Sequence, residues 1–174
     1  MPKVPVDSIP RAHPNIRVKD WLAPLVLRLL LADTYSDGAK EVKFSVRPRN
    51  GKETADTCEF QWSAMKEEWE RVQKTYQAPV LTEFATLALA CASVEHFAQM
   101  EVTEVTRRGE RADYWLGDRE LLLEVSGQQD GDVEALHEEK AQQLRDNPYA
   151  MDGFVCVASY RAGAARFWYH PYAE

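Results

Sequence analysis

The sequence contains few cysteines and no motif that pairs them. Only three occur in 174 residues, and they lie far apart without a CxxC or a Cys–His pairing: Cys58, Cys91 and Cys156. This spacing argues against a zinc site or a disulfide framework and predicts a reducing compartment, the cytoplasm.

A long uninterrupted apolar run is also missing. The longest, Trp21 to Ala32, is broken by Pro24 and Arg28 and is shorter than the roughly 20 residues that span a bilayer. We therefore expect a buried helix here and no membrane partner. The first five residues have no apolar stretch behind their lysine, which predicts no secretion signal.

The chain has no overall excess of positive charge. Its net charge of −7 argues against coating nucleic acid by bulk electrostatics. The charges are unevenly distributed, however, because residues 1–52 carry ten Lys and Arg against five Asp and Glu. This basic front predicts contact with phosphate or with an acidic protein partner.

The remaining features predict one α/β (α+β) domain over residues 1–174, with hydrophobic residues making up 45% of the chain. We expect a proline-rich arm over 1–18 outside the core, an extension over 19–78 and a core over 79–174. The extension is predicted to hold a helix capped by Asp20 and a β-hairpin with one solvated face.

From Thr82 onward the pattern predicts a fixed order of elements. Thr82 is expected to cap a long helix, and the last strand is expected at a sheet edge. The predicted order is a helix over 83–99, strands over 102–106, 112–116 and 121–125, a helix over 132–145, and strands over 154–158 and 165–170.

Two acids interrupt the apolar strands of this segment. Asp113 precedes Tyr-Trp-Leu, and Glu124 ends a run of three leucines. A buried carboxylate must find a cation, find donors or shift its pKa. Period two sends Glu124, Ser126 and Gln128 to one face of their strand, where Asp113 joins them if the register allows. We therefore predict a divalent metal shared by the two acids.

The order of elements and acids resembles the PD-(D/E)xK superfamily of restriction-endonuclease-like folds over residues 80–170. The resemblance implies an αβββαβ core with a mixed central sheet flanked by helices. It also implies that Glu83, Asp113 and Glu124 bind Mg²⁺ or Mn²⁺ together with the Val125 carbonyl.

The family's lysine, two residues after the strand Glu, is replaced here by Ser126. Some family members carry that lysine on a neighbouring helix, and Lys140 is positioned in the sequence to reach back toward Glu124.

The resemblance implies a metal-dependent endo- or exonuclease that hydrolyses phosphodiester bonds, of DNA more than RNA, in the defence against foreign DNA or its processing. The alternative is an inactive protein of the same fold, an accessory subunit that recruits its partner through the basic front. Ser126 and the acidic remainder of the chain motivate this alternative.

Structural interpretations of the strand acids stay open at this stage. Asp113 can pair with Arg107 or Arg111 on a solvated sheet face, where an ion pair contributes little. Glu124 can lie on the one polar face of an edge strand.

The same holds for the helix residues. An acid at Glu83 suits the first turn of a helix whatever its function, and Glu95 competes with it for the role of helix acid. Lys140 follows two glutamates in a charged run. The four histidines show no ligand spacing, and the aromatic residues 167–172 suit base stacking, strand packing or a protein interface.

Overall fold

A computed structural model describes residues 1–172 and shows a mixed α/β fold around one eight-stranded sheet. The strands are β1 (Lys3–Pro5), β2 (Gly38–Arg47), β3 (Thr54–Trp62), β4 (Val102–Val105), β5 (Tyr114–Leu116), β6 (Leu121–Gln128), β7 (Gly153–Ser159) and β8 (Ala164–His170). The α-helices are α1 (Leu22–Leu30), α2 (Lys66–Thr75), α3 (Ala78–Ser93) and α4 (Val133–Arg145). Two 3₁₀ helices (Val6–Ala12 and Val18–Trp21) and a π-helical turn (Val94–Ala98) complete the set.

The sheet combines an antiparallel meander with a parallel crossover. Its strand order is β1-β3-β2-β8-β7-β6-β5-β4. Strands β4, β5 and β6 are antiparallel, whereas β7 pairs in parallel with β6 after the chain returns through α4. A parallel neighbour requires such a crossover, and α4 supplies it. The predicted order of elements after residue 78 is therefore present.

The two faces of the sheet are covered by different helices. Leu123 of β6 and Cys156 of β7 belong to the large core on the side of α3, whereas Leu122 and Val155 pack with residues of α4. The alternation follows from the two-residue period of a strand. Glu124 has the same parity as Leu122 and so faces α4.

The amino-terminal arm belongs to the core, and the prediction that it lies outside was wrong. Strand β1 pairs in parallel with β3, and Val6, Ile9 and His13 are fully buried. The His13 ring bridges two elements, with its Nε2 2.9 Å from the Cys91 carbonyl and its Nδ1 2.9 Å from the Val102 amide. Prolines fix φ near −65°, which 3₁₀ turns accept, so they do not exclude an arm from a core.

The final strand is central, so the prediction of an edge strand was also wrong. Strand β8 lies between β7 and β2 because the hairpin β2–β3 extends the same sheet beyond it. Phe167 and Tyr169 are buried. The Trp168 ring has the guanidinium groups of Arg47 and Arg166 at 4.6 and 4.5 Å from its centroid. The aromatic segment therefore packs within the fold.

Two predicted helix caps were wrong. Asp20 pairs with Arg17 at 2.8 Å, and α1 begins at Leu22 without a side-chain cap. Helix α3 begins at Ala78, so Thr82 lies inside it and donates to the Ala78 carbonyl at 3.0 Å. A threonine or aspartate near a helix start is a local signal for a cap, and its side chain can bind other groups instead. In α3 the better signal is Pro79, which lies in the first turn of the helix.

Helix α3 and the π-helical turn form the buried axis of the fold. The continuous stretch Ala78–Ala98 has the length and composition of a membrane span, but most of it is covered by the rest of the protein. That burial is consistent with a core helix of a soluble protein. The three cysteines are buried and unpaired.

Candidate active site

The acids of the sequence motif meet in one cleft between α3, β6 and α4. The cleft has a volume of about 340 Å³. Its lining contains Pro79, Glu83, Leu87, Asp113, Glu124, Val125, Ser126, Gly127, Lys140 and Gln143. The structure thus brings together six of the seven residues singled out from the sequence.

Asp113 is fixed at the edge of the cleft by the pairing of β5 with β6. Its backbone amide donates to the Leu123 carbonyl at 2.9 Å, and its Oδ2 accepts the Val125 amide at 2.7 Å. In an extended strand the amide and carbonyl of one residue point to the same side, so the Val125 carbonyl also faces Asp113.

Glu124 lies at the bottom of the cleft and is only 1% exposed. Its Oε1 is 3.2 Å from Lys140 Nζ, and its Oε2 is buried without a hydrogen-bond partner among the described residues. Lys140 also donates to Gln143 Oε1 at 3.1 Å. One carboxylate oxygen at the centre of the site is therefore free to accept a ligand.

The surroundings favour the protonated form of both acids. Burial and the neighbouring Asp113 raise the pKa of Glu124 to about 8, although the Lys140 ammonium opposes the shift. Burial likewise raises the pKa of Asp113, and the Val125 amide opposes it. Two adjacent carboxylates with raised pKa values are a common signature of functional sites.

The structure removes the interpretation of both strand acids as surface groups. Within residues 1–172, Asp113 makes no ion pair with Arg107 or Arg111, and its charge partner is the distant Lys140. Glu124 faces α4 rather than solvent. Neither acid is explained by an exposed sheet face.

The other predicted residues differ in their positions. Glu83 is exposed in the second turn of α3 and lines the cleft, whereas Glu95 lines a separate depression beside the amino-terminal arm. Ser126 lines the cleft, but Gln128 does not: its amide lies against Gly131, and its Nε2 is buried without a partner in the described chain.

Sequence reasoning missed Gln143, which orients the lysine. It lies one helical turn after Lys140 and binds its ammonium group. The spacing of three residues places the two side chains on one helix face. That spacing was visible in the sequence, but the direction of the face was not.

The donor set suits a hard cation that keeps part of its water shell. Mg²⁺ is bound by one or two carboxylates with water and substrate phosphate, and Asp113, Glu124 and the Val125 carbonyl offer such oxygens. The unpartnered Oε2 of Glu124 fits a ligand role. In the described part of the chain, no three His, Cys, Asp or Glu side chains converge as a preformed metal cage.

A basic loop directly precedes Asp113 in the chain. It connects β4 to β5, and its exposed arginines form no ion pair within residues 1–172: Arg107, Arg108 and Arg111. The loop is closed at its base, where the Thr106 amide donates to the Asp113 carbonyl at 2.9 Å. Glu110 accepts a hydrogen bond from Tyr149, which ties the loop to the turn after α4.

Comparison with known proteins identifies no relative. No family model matches the chain, and neither curated proteins nor solved structures show a significant similarity to it.

Proposed function

We propose that the protein is a metal-dependent nuclease that hydrolyses phosphodiester bonds of DNA, with a core of the restriction-endonuclease-like type. The observation that carries the proposal is the meeting of Asp113, Glu124 and Lys140 in one cleft, although they come from the start of β5, from β6 and from α4. The order α3, β4–β6, α4, β7 and the parallel pairing of β6 with β7 support the proposed core.

Ser126 stands where the family has its lysine, and the position of Lys140 supports the proposal because Lys140 can take the place of that lysine. In the proposed site, a cation reaches Glu124 from α4, three residues before Gln143, rather than from two residues further along β6. The charge is thereby restored next to the carboxylates. Because Glu124 is buried, loss of Lys140 would leave its carboxylate without a compensating charge.

Asp113, Glu124, Glu83 and the Val125 carbonyl would hold Mg²⁺ or Mn²⁺, and the ion would polarise the phosphate and lower the pKa of a bound water. The Lys140 ammonium orients the attacking water and offsets negative charge on the phosphoryl oxygens. The water oxygen forms the new P–O bond while the ester P–O bond breaks. The proton of the water leaves to solvent, and the departing oxygen takes a proton from solvent.

The surrounding charges support a nucleic-acid substrate. The 106–112 loop ends next to Asp113 and carries three exposed arginines that form no ion pair within residues 1–172. This local positive charge lies in a chain whose net charge is −7. Exposed arginines contact phosphates without sequence preference. They would hold the strand beside the carboxylates, which otherwise repel it.

Cleavage assays with purified protein test the proposal. Single- and double-stranded DNA and RNA are incubated with Mg²⁺, Mn²⁺ or EDTA. We expect metal-dependent cleavage that Asp113→Asn and Glu124→Gln abolish and that the control Asp118→Asn, in the exposed β5–β6 turn, retains. Absence of metal-dependent cleavage on all substrates overturns the proposal and favours the inactive accessory protein.

A further inference from the structure

A second cleft contains a buried cation without a carboxylate partner. Arg28 of α1 is only 7% exposed. Its Nε donates to Thr82 Oγ1 at 2.8 Å and its Nη2 to the Ala78 carbonyl at 2.7 Å, both neutral acceptors. Within residues 1–172, Arg28 forms no ion pair, and burial lowers the pKa of its guanidinium. Buried charges are normally paired with an opposite charge, so this guanidinium is suited to bind an anion.

The cleft beside Arg28 has room for such an anion. It has a volume of about 390 Å³ and is also lined by Arg161, Gln73 and Gln129, whose side chains offer hydrogen-bond donors. Asp33 lines the cleft too, but it is exposed and pairs with neither arginine. The proximity of two guanidinium groups is typical of phosphate sites.

Arg161 is available to change its partner. Its Nε lies 2.7 Å from Asp130 Oδ1, and both side chains are more than 60% exposed. Such a surface ion pair contributes little free energy, because solvent screens it. An entering phosphate therefore displaces Asp130 at small cost, whereas Arg28 has no carboxylate to release.

The two clefts share the first turns of α3. Ala78 and Thr82 hold Arg28, while Pro79 and Glu83 line the acidic cleft. Along the sheet, Gln129 follows Glu124 by five residues, or about 17 Å of extended chain. One nucleic-acid strand can therefore reach both clefts at phosphates a few nucleotides apart.

We propose that Arg28 and Arg161 form a phosphate-binding subsite that holds the substrate strand on the far side of α3 from the carboxylates. This inference rests on the proposed nuclease function for the identity of the strand. The chemistry that the subsite recognises is the phosphate group, which a nucleic-acid strand or free inorganic phosphate can supply.

Binding measurements without cleavage test the subsite. A fluorescent single-stranded DNA oligonucleotide is titrated in EDTA at several salt concentrations, and inorganic phosphate is titrated separately by calorimetry. We expect Arg161→Gln to weaken oligonucleotide binding about fivefold and to reduce the salt slope by about one. The control Arg11→Gln, an exposed arginine outside the cleft, should change neither value.

Arg28 is tested with two variants because its removal can disturb α3. Arg28→Gln should weaken binding more than Arg161→Gln, and Arg28→Lys should keep the fold, checked by circular dichroism, yet lose affinity because lysine lacks the planar fork. If the two arginines are required for the binding of inorganic phosphate but not of the oligonucleotide, the subsite is supported and is assigned to free phosphate. Unchanged binding of both ligands in Arg161→Gln and Arg28→Lys overturns the subsite.

These results are separable from the nuclease proposal. If cleavage is absent but oligonucleotide binding depends on both arginines, the subsite stands and the nuclease fails. If cleavage depends on Asp113 and Glu124 while Arg161→Gln binds DNA as the unmodified protein does, the subsite alone fails.

Discussion

Lys140 Nζ lies 3.2 Å from Glu124 Oε1, which joins the middle of α4 to the middle of β6. Both residues line the acidic cleft, so the pair crosses from helix to sheet inside it. Since α4 connects β6 to β7 as a crossover, its direction is fixed by the parallel pairing of these strands. The burial of Ala141 and Leu144 against the sheet then determines which helix face is presented to Glu124.

The first prediction concerns this cation. Lys140→Gln should lower the rate of metal-dependent cleavage about 100-fold or more, because the transition state loses an ammonium group aimed at its developing charge. Lys140→Arg should recover only part of the rate, since the guanidinium is larger and planar. Single-turnover kinetics measure the effect. The control Lys74→Gln, at an exposed position on α2, should leave the rate unchanged. A Lys140→Gln variant that keeps more than half of the original rate would contradict the assignment.

The second prediction concerns the raised pKa of Glu124. A pKa near 8 in the folded protein, against about 4.3 when unfolded, means that the folded state retains a proton that the unfolded state releases. The contribution of this group to stability is complete below the unfolded pKa and is lost as the pH rises to about 8. Without metal, Glu124→Gln should therefore stabilise the protein by about 2 kcal/mol at pH 8.5 and by much less at pH 5.

Denaturant unfolding in EDTA across this pH range measures the difference, with Glu120→Gln in the exposed turn as control. Adding Mg²⁺ should reverse the trend, because the ion binds deprotonated carboxylates. The shift in melting temperature caused by Mg²⁺ should grow from pH 6 to pH 8.5 and vanish in Glu124→Gln. A pH-independent difference between the two proteins would show that Glu124 is ionised throughout.

The third prediction concerns two buried histidines, one on α4 and one on β8, that meet between the helix and the sheet. His137 and His170 place their Nε2 atoms 3.2 Å apart, and His137 Nδ1 is buried without a hydrogen-bond partner within residues 1–172. Burial, followed by the charges of Arg166, Arg47 and Arg145, lowers the pKa of His137, and burial and the neighbouring ring lower that of His170. Exposed Glu138 opposes the shift of His170 only weakly.

Because both rings are neutral in the folded protein, the unfolded state binds more protons below about pH 6.5. Stability should fall as the pH decreases from there, by up to about 1.4 kcal/mol per pH unit for each ring. His170→Gln should show a shallower slope between pH 6.5 and 5 than the unmodified protein. The exposed His96→Gln is the matched control, and equal slopes in all three proteins would disprove the contribution of the pair.

The fourth prediction concerns the contact that holds α3 against β6. A methyl group at Gly127 would lie 1.9 Å from Thr86 Oγ1, so helix and strand must separate. Gly127→Ala should destabilise the protein by about 2 kcal/mol and weaken metal binding, because Glu83 and Glu124 lie on the elements forced apart. Gly38→Ala, where the nearest atom is 3.7 Å away, should be tolerated. Thr86→Ala should partly rescue Gly127→Ala, and a fully stable single variant would contradict the close approach.

The elements of the carboxy-terminal part were predictable because their signals are local. Strand alternation places Leu122 and Glu124 on one face of their strand, and the tight turns between 102 and 121 predict the meander. Alternation could not tell whether the face of Glu124 is buried or solvated, which only its packing against α4 decides. The start of α3 at Ala78 was mispredicted because Thr82 resembles a cap, although its side chain binds Ala78 and Arg28. The start of α1 was close to the prediction, but Asp20 binds Arg17 instead of capping the helix.

The sequence by itself determined which residues share a face, since side-chain periodicity is a property of the local backbone. It could not determine which faces meet. Tertiary structure decided that β8 is central, that the proline-rich arm is buried, that Lys140 meets Glu124 of β6 and that Arg28 binds α3. These relationships depend on strand pairing between distant segments and on the close approach of α3 at Gly127, which local patterns do not encode.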